Sequence, residues 1–250
     1  MRTELTLSDA SRLQFQTTGW TLAPQYIPAD ALPILRSEAE KLSLSTGAQD
    51  TCQYYVDQWG TGETRLARIE RIVEHLPIFH SCGLAKQLAQ DAALLLNGPV
   101  VAFKDKLNIR YPNSAGYAPH QDAARWHRFG PRFVSFGLFL SGSTPDQGGF
   151  SFADYDLDQG LKATRTGDFD AVSFEQLPRH DVIASAGDVL IIDGAVPHCT
   201  TQNLTGGRVL HVLITFVLGT DKSLRDAYYA SQESAFEQVR EGNVFTFPAR

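Results

Sequence analysis

The chain has 250 residues, with 22 lysines and arginines against 28 aspartates and glutamates for a net charge of −6. Such a length buries roughly 70–75% of the extended surface on folding, ample for a self-standing core, while the acidic balance and the lack of any basic cluster exclude a general phosphate-backbone binder, whose affinity comes from counterion release by clustered cations. The start lacks the apolar core of a secretory signal, no stretch approaches about 18 apolar residues, and Cys52, Cys82 and Cys199 are too scattered for a disulfide framework or a thiolate zinc site, so a soluble, cytoplasmic chain is expected.

In chain order, Ser8 is placed to cap a short helix containing Leu13 and Phe15 that Gly19 stops. Asp30 is expected to cap a second, with Pro33 in its first turn and Leu35, Ala39 and Leu42 at helical spacing. The stretch Thr64 to Phe79, carrying Leu66, Ile69, Ile72, Val73 and Leu76, reads as helix, and so does the alanine-rich Leu84 to Leu96. From Val100 the pattern changes: VVAFKDKLNIRY, RFVSFGLFLSGS, DVLIIDG and RVLHVLITFVLG are short, rich in branched and aromatic residues, and bounded by Gly, Pro, Asn and Asp, which predicts strands. No repeat or flexible linker divides the halves. One domain over 1–250 follows, with mainly helical support to about 98, a jelly-roll core over 99–220 and a C-terminal extension over 221–250. The fold class is α+β with a mostly β core, the N-terminal helices packing on one sheet of an antiparallel sandwich. The polar stretch Asp154 to Arg179 reads as a surface excursion with Asp168 and Asp170 solvated.

In GYAPHQDAARW, His120 and Asp122 stand two apart, and on a strand they would project side by side. His-x-Asp alone occurs by chance in many chains. In GDVLIIDGAVPHCTTQN, however, Gly187-Asp188 makes a turn, a buried strand runs from Val189 to Ile192, Gly194 to Pro197 bends, and His198 begins the next segment. Two imidazoles and one carboxylate on one face leave three positions of an octahedral Fe(II) open. A closed zinc site would need a fourth protein ligand, and none has suitable spacing. With a divalent ion this set keeps a net positive charge, which invites an anion. Arg208 follows His198 by ten residues at the head of RVLHVLITF, with Leu210 and Val212 continuing its face. A guanidinium fork clamps a carboxylate bidentately, and a dicarboxylate that chelates iron at one end and meets Arg208 at the other is 2-oxoglutarate.

In FKDKLNIRYP, Lys104, Lys106, Asn108 and Arg110 share one strand face, either a basic outer surface or an inward counter-charge for an anionic cofactor or substrate. Tyr117 is placed to hydrogen-bond a cofactor carboxylate or to pack. Thr200, two beyond His198, shares that ligand's face and can donate to the same carboxylate as Arg208. Trp126 reads equally as pocket wall, lid anchor or core, and His127 and Arg128 follow the motif closely enough to touch substrate. His211 falls on the opposite strand face from Arg208 and reads as packed or surface.

His120-Gln121-Asp122, Gly187-Asp188, His198 and Arg208 together resemble the phytanoyl-CoA dioxygenase family of Fe(II)/2-oxoglutarate oxygenases, which carries HxD…H…R in this order. The likeness covers about residues 12 to 220, opens with FQTTGWTLAPQYIPADAL, and is strongest over 104–128 and 187–216. KDKLNIRYPNSAGYAPHQDAARW with the later DAYY more closely resembles the subgroup containing 2-aminoethylphosphonate dioxygenase and is more distantly similar to ectoine hydroxylase. One departure is that the family's Asn-Gly…Pro-Gly-Ser-His segment stands here as QGGFSFADYDLDQG. The resemblance implies a double-stranded β-helix, Fe(II) on His120, Asp122 and His198, and 2-oxoglutarate and O2 as cosubstrates. It places Asn108, Tyr117, Thr200 and Arg208 around 2-oxoglutarate, with Lys104, Lys106, Gln121, Trp126 and Arg128 towards substrate. The implied reaction is hydroxylation of an unactivated C–H bond with release of succinate and CO2. An intact Asp122 speaks against halogenation. The expected substrate is a small polar metabolite, amino-acid-like or phosphonate-like, handled by a monomer or homodimer with no nucleic-acid or membrane partner. Two alternatives use the same sandwich: a cupin-like metal isomerase or hydrolase without 2-oxoglutarate, and a non-catalytic protein binding a small acid or sugar.

Overall fold

In the computed structural model, which describes residues 7–45, 51–58, 63–235, 240–241 and 244–247, the first helix is bounded by its own side chains. The hydroxyl of Ser8 accepts from the Ser11 amide at 3.1 Å, and Gly19, at φ 77°, donates its amide to the Phe15 carbonyl, which delimits α1 (Asp9–Thr18). After β1 (Trp20–Ala23) comes α2 (Leu32–Leu42). Its N-cap is Ala31 rather than Asp30, because a turn closes first, the amides of Ala31 and Leu32 both donating to the Pro28 carbonyl.

The helix expected over 64–79 is replaced by β3 (Thr64–Glu70), followed after a short turn by α3 (Pro77–Ser81). Its apolar spacing suits either element, and pairing decides: β3 lies between β2 (Gln53–Gln58) and β4 (Val100–Arg110), with a ladder on each side. Arg71 at φ 61° then turns the chain. The α4 helix (Leu84–Leu95) agrees with expectation. Beyond β4 the chain forms α5 (Asp122–Trp126), β5 (Phe133–Phe139), β6 (Phe150–Ala153), α6 (Ala171–Gln176), β7 (Arg179–Asp181), β8 (Val189–Asp193), β9 (His198–Thr200), β10 (Val209–Leu218), α7 (Leu224–Ala235), β11 (Arg240–Glu241) and β12 (Val244–Phe247). Asp168 and Asp170 are exposed, Asp170 capping α6 through the Ser173 amide.

Among the described residues two sheets face each other, a large one ordered β1-β8-β5-β10-β4-β3-β2-β12-β11 and a small one ordered β7-β6-β9. This is the mixed architecture with a dominant β core expected of a double-stranded β-helix. Three of the strands, β1 to β3, lie in the segment expected to be mainly helical, because each supplies a rung of the large sheet. Side-chain parity divides that sheet. Leu107, Ile109, Leu210, Val212 and Ile214 pack against Phe15, Leu35, Ala39, Leu84, Leu88 and Ala92 from the helices. The alternate residues Lys106, Asn108, Arg110, His211 and Leu213 face the chamber between the sheets. No described helix is long and apolar enough to cross a membrane, and all three cysteines are free.

Asp105 ties the far edge of this frame together. Its carboxylate accepts from the Ile72 and Val73 amides and pairs with Arg225 of α7, and it is 1% exposed. Asp105→Ala leaves two amides without their acceptor and leaves the half-buried Arg225 with Glu74 as its remaining carboxylate at 3.5 Å. The expected loss in chemical-denaturant unfolding is about 2–3 kcal/mol, whereas an exposed-pair cost below about 1 kcal/mol would contradict this role.

Candidate metal centre

The centre is built by backbone before any side chain is placed. Gly194 donates its amide to Phe133 O at 2.9 Å and accepts from the Ala123 amide at 2.8 Å, so the bend after β8 is anchored to both β5 and α5. A Cβ on Gly194 would come within 3.1 Å of the Ala123 Cβ, so any larger residue in the bend would press on α5. The chain then enters β9 at His198, whose amide and carbonyl exchange hydrogen bonds with those of His120 at 3.0 and 2.9 Å.

His120 lies outside the named strands, held by isolated bridges to His198 and Asp168, and Asp122 opens α5, so the two do not share a strand face as expected. They converge because the chain leaves an extended Gln121 and turns straight into a helix. Gln121 holds that corner. Its Oε1 accepts from the amides of Lys162 and Ala163, both at 2.8 Å, and its Nε2 donates to Ala195 O at 2.5 Å. With every polar atom engaged and no exposure, it lies behind the motif instead of facing substrate.

Asp122 Oδ1 lies 3.8 Å from His120 Nε2 and Oδ2 lies 3.9 Å from His198 Nε2, and one ligand atom from each residue falls within 4.8 Å of the others. Among the described residues no fourth histidine, cysteine or carboxylate joins them. His120 Nδ1 sits 2.8 Å from Ala118 O and His198 Nδ1 3.0 Å from Val196 O. A nitrogen beside a carbonyl must carry the proton, which leaves both Nε2 lone pairs aimed inward. Burial and the neighbouring His198 push His120 down to about 3, and burial lowers His198 as well. Burial alone would raise Asp122, but His120, His198, Lys106 and Lys104 outweigh it and hold the carboxyl well below its usual range. Two neutral imidazoles and one ionised carboxylate are the protonation states a divalent cation requires, and the donor set fits Fe(II) with half its sphere open.

The chamber beside these ligands is lined by Lys106, Asn108, Arg110, Tyr117, Thr200 and His211, among others. Three buried polar atoms there have no hydrogen-bond partner: Asn108 Oδ1, Arg110 Nε and His211 Nε2. Such orphans normally cost about 1–3 kcal/mol each, so their clustering in one cavity points to a polar ligand. The Arg110 guanidinium is aimed by Thr201 O at 3.0 Å and lies 5.0 Å from the centre of the Tyr117 ring. Thr200 Oγ1 accepts from the Tyr117 amide at 2.8 Å and keeps its own hydrogen to donate. Gly116 is required next to it, since a Cβ there would collide with the Thr200 carbonyl.

Other expected site residues lie elsewhere. Arg208 is on the helix-facing parity of β10 and pairs with Glu40 of α2, outside the chamber. Trp126, 4% exposed, packs edge-on to Phe103 and Phe133 as core. Arg128 is exposed over the Phe129 ring. Lys104 is buried below the chamber, 3.0 Å from Glu70 Oε1 and donating to the Tyr228 hydroxyl at 2.6 Å. Conversely, His211 enters the chamber, and β3 brings Arg68 opposite Asn108 and Glu70 opposite Lys106. The strand alternation of β10 carried the signal for His211; a helical reading of 64–79 hid Arg68 and Glu70.

A double-stranded β-helix bearing two histidines and an aspartate on an open metal face, beside a cationic chamber, defines the class of Fe(II)/2-oxoglutarate-dependent oxygenases. Residues 15–209 match the family described as Phytanoyl-CoA dioxygenase (PhyH), and the chain belongs to that family. It is 27% identical over 240 residues to a methylphosphonate hydroxylase of Gimesia maris, covering 94% of this chain and 90% of that one. It is also 22% identical to a 2-aminoethylphosphonate dioxygenase of an uncultured bacterium, covering 74% and 71%. The crystal structure of EctD from S. alaskensis with 2-oxoglutarate and 5-hydroxyectoine shares the fold at a TM-score of 0.70 and 18% identity, over 87% of this chain and 79% of that chain.

His211 makes the chamber's state pH-dependent. Burial and Arg110 push it down to about 4, while an unfolded histidine titrates near about 6.5. As pH falls through that window the unfolded chain takes up a proton that the folded one refuses, so stability is lost on acidification. In metal-free protein, wild type should lose about 2 kcal/mol more than His211→Gln between pH 7 and pH 5 in urea unfolding. Equal losses would show that His211 is not buried and neutral.

Proposed function

We propose that the protein hydroxylates an unactivated C–H bond of a small, anionic, phosphonate-like metabolite, consuming 2-oxoglutarate and O2 and releasing succinate and CO2. The observation that carries this reading is the placement of three unpartnered buried polar atoms, one on an arginine, in the same chamber as the three-ligand face. The names of the two curated relatives, a methylphosphonate hydroxylase and a 2-aminoethylphosphonate dioxygenase, support the substrate class.

His120, Asp122 and His198 would hold the iron. Bound iron, with 2-oxoglutarate and dioxygen, supplies the oxidising power for C–H hydroxylation. The chain supplies orientation, charge and dryness. Arg110 takes the place expected of Arg208 and holds the distal carboxylate of 2-oxoglutarate, with Thr200 donating its hydroxyl hydrogen and neutral His211 completing the cradle. Phe150 and Leu213 line the same chamber as this cradle and the ligand face, and their apolar surface helps to exclude water. The Tyr117 ring lies over the Arg110 guanidinium as a cation–π partner.

The test is the charge-transfer absorption that develops when Fe(II) and 2-oxoglutarate are combined without oxygen. Wild type should show the band, and Asp122→Ala should not. A charge-assisted hydrogen bond is worth about 1.5–3 kcal/mol, so Arg110→Ala should raise the 2-oxoglutarate needed for half-saturation roughly 10- to 100-fold. Arg208→Ala should change it less than about threefold, as befits a partly exposed ion pair. The reverse ranking would return the clamp to Arg208, and no band in wild type would refute the oxygenase reading.

A further inference from the structure

Once iron and 2-oxoglutarate are assigned, positive charge is left over. Arg68, Lys104, Lys106 and Arg110 share one face of the large sheet, and the carboxylates acting on them are Glu70, Asp122 and, towards Arg110, Asp57. Four cations less three carboxylates leave one positive charge; a divalent metal raises the excess to three and a 2-oxoglutarate dianion returns it to one. Uncompensated charge in a partly buried chamber is costly. A further anion belongs there.

The geometry locates it. Arg68 stands directly across the β3–β4 ladder from Asn108, and Lys106 precedes Asn108 by two residues on the same face. Arg68 and Lys106 are therefore diagonal neighbours, a spacing of about 7–8 Å at the backbone that long side chains bridge. Arg68 is held from behind: its Nε lies 3.0 Å from Glu70 Oε1, and its guanidinium carbon lies 4.0 Å from the centre of the Tyr55 ring. Glu70, wholly buried, is shared with Lys104 at 3.0 Å. Glu70 thereby consumes one charge and fixes the fork without blocking its outer edge, which leaves the Arg68 side chain 22% exposed. Lys106 lines the chamber and has no hydrogen-bond or ion-pair partner among the described residues.

We propose that Arg68 and Lys106 form the anion subsite for the primary substrate, and that the group they take is a tetrahedral dianion on carbon, an alkylphosphonate, in preference to a carboxylate. The proposal rests on the oxygenase reading above and adds the residues that select the substrate. A planar fork and a point charge, set on neighbouring strands, together match a three-oxygen headgroup better than a planar carboxylate. Asn108 separates this subsite from the Arg110 cradle, which keeps the two anions of one reaction apart.

The experiment is calorimetric titration of methylphosphonate, and of acetate in parallel, into anaerobic enzyme holding Fe(II) and 2-oxoglutarate, with the charge-transfer band recorded on each sample. Wild type should bind methylphosphonate at least about tenfold tighter than acetate. Lys106→Gln should remove about tenfold of that preference with the band intact. Arg68→Gln should do the same; because it frees Glu70 and can unfold the chain, Arg68→Lys, which keeps the charge but not the fork, serves beside it and should show a smaller loss. Equal affinity for acetate and methylphosphonate, or variants that bind methylphosphonate like wild type, would overturn the subsite. A normal band without methylphosphonate binding refutes the subsite and leaves the oxygenase reading standing. Methylphosphonate binding that depends on Arg68 and Lys106 but develops no band refutes the oxygenase reading alone.

Discussion

The centre depends on a two-way backbone exchange between residues 78 positions apart in sequence, His120 and His198, each donating its amide to the other's carbonyl. A loop residue is thereby given the positional definition of a strand. Each imidazole is then turned inward by a carbonyl two residues before it, Ala118 for one and Val196 for the other. Gln121 fastens the corner between the ligand histidine and the ligand aspartate to the segment around Lys162 and to the bend at Ala195. The ligands are positioned by backbone rather than by one another, so the face can exist before any cation compensates it.

A second constraint is strand parity. On β4 and β10 a residue points either to the helical layer or to the chamber, and a shift of one position exchanges the two. Leu210 and Val212 pack on the helices, so Arg208, of the same parity, is directed to that layer and finds Glu40 there. Val209 pairs with Arg110 across the ladder, and Arg110 has the chamber parity. The guanidinium that enters the chamber is therefore on β4, one strand over from Arg208. Charge on that sheet face follows the same rule: β4 contributes lysines and an arginine, β3 an arginine and the glutamate that tempers them.

Much of the frame was legible in the sequence because its signals are local. Ser8 and Gly19 bracket a helix by capping chemistry alone, and the β4, β5, β8 and β10 strands announce themselves by branched and aromatic runs between turns. The apolar residues of 64–79 suit both periods, and only pairing on two sides, which no local window contains, makes Thr64–Glu70 a strand. His120, Asp122 and His198 were recognisable as chemistry, yet the reason they meet was not, since Asp122 sits at a helix start rather than on a strand. Leu210 and Val212 were visible as the continuation of the Arg208 face, but whether that face met helices or chamber was a tertiary fact. Trp126 and Gln121 lie beside the motif in sequence and are turned away from the chamber by packing and hydrogen bonding.

The most direct measurement is an anaerobic crystal structure with Fe(II) and 2-oxoglutarate soaked in. The account requires the ion to be bound by the two Nε2 atoms and one Asp122 oxygen, with the distal cosubstrate carboxylate against Arg110. A fourth protein ligand on the ion, or that carboxylate against Arg208, would contradict it.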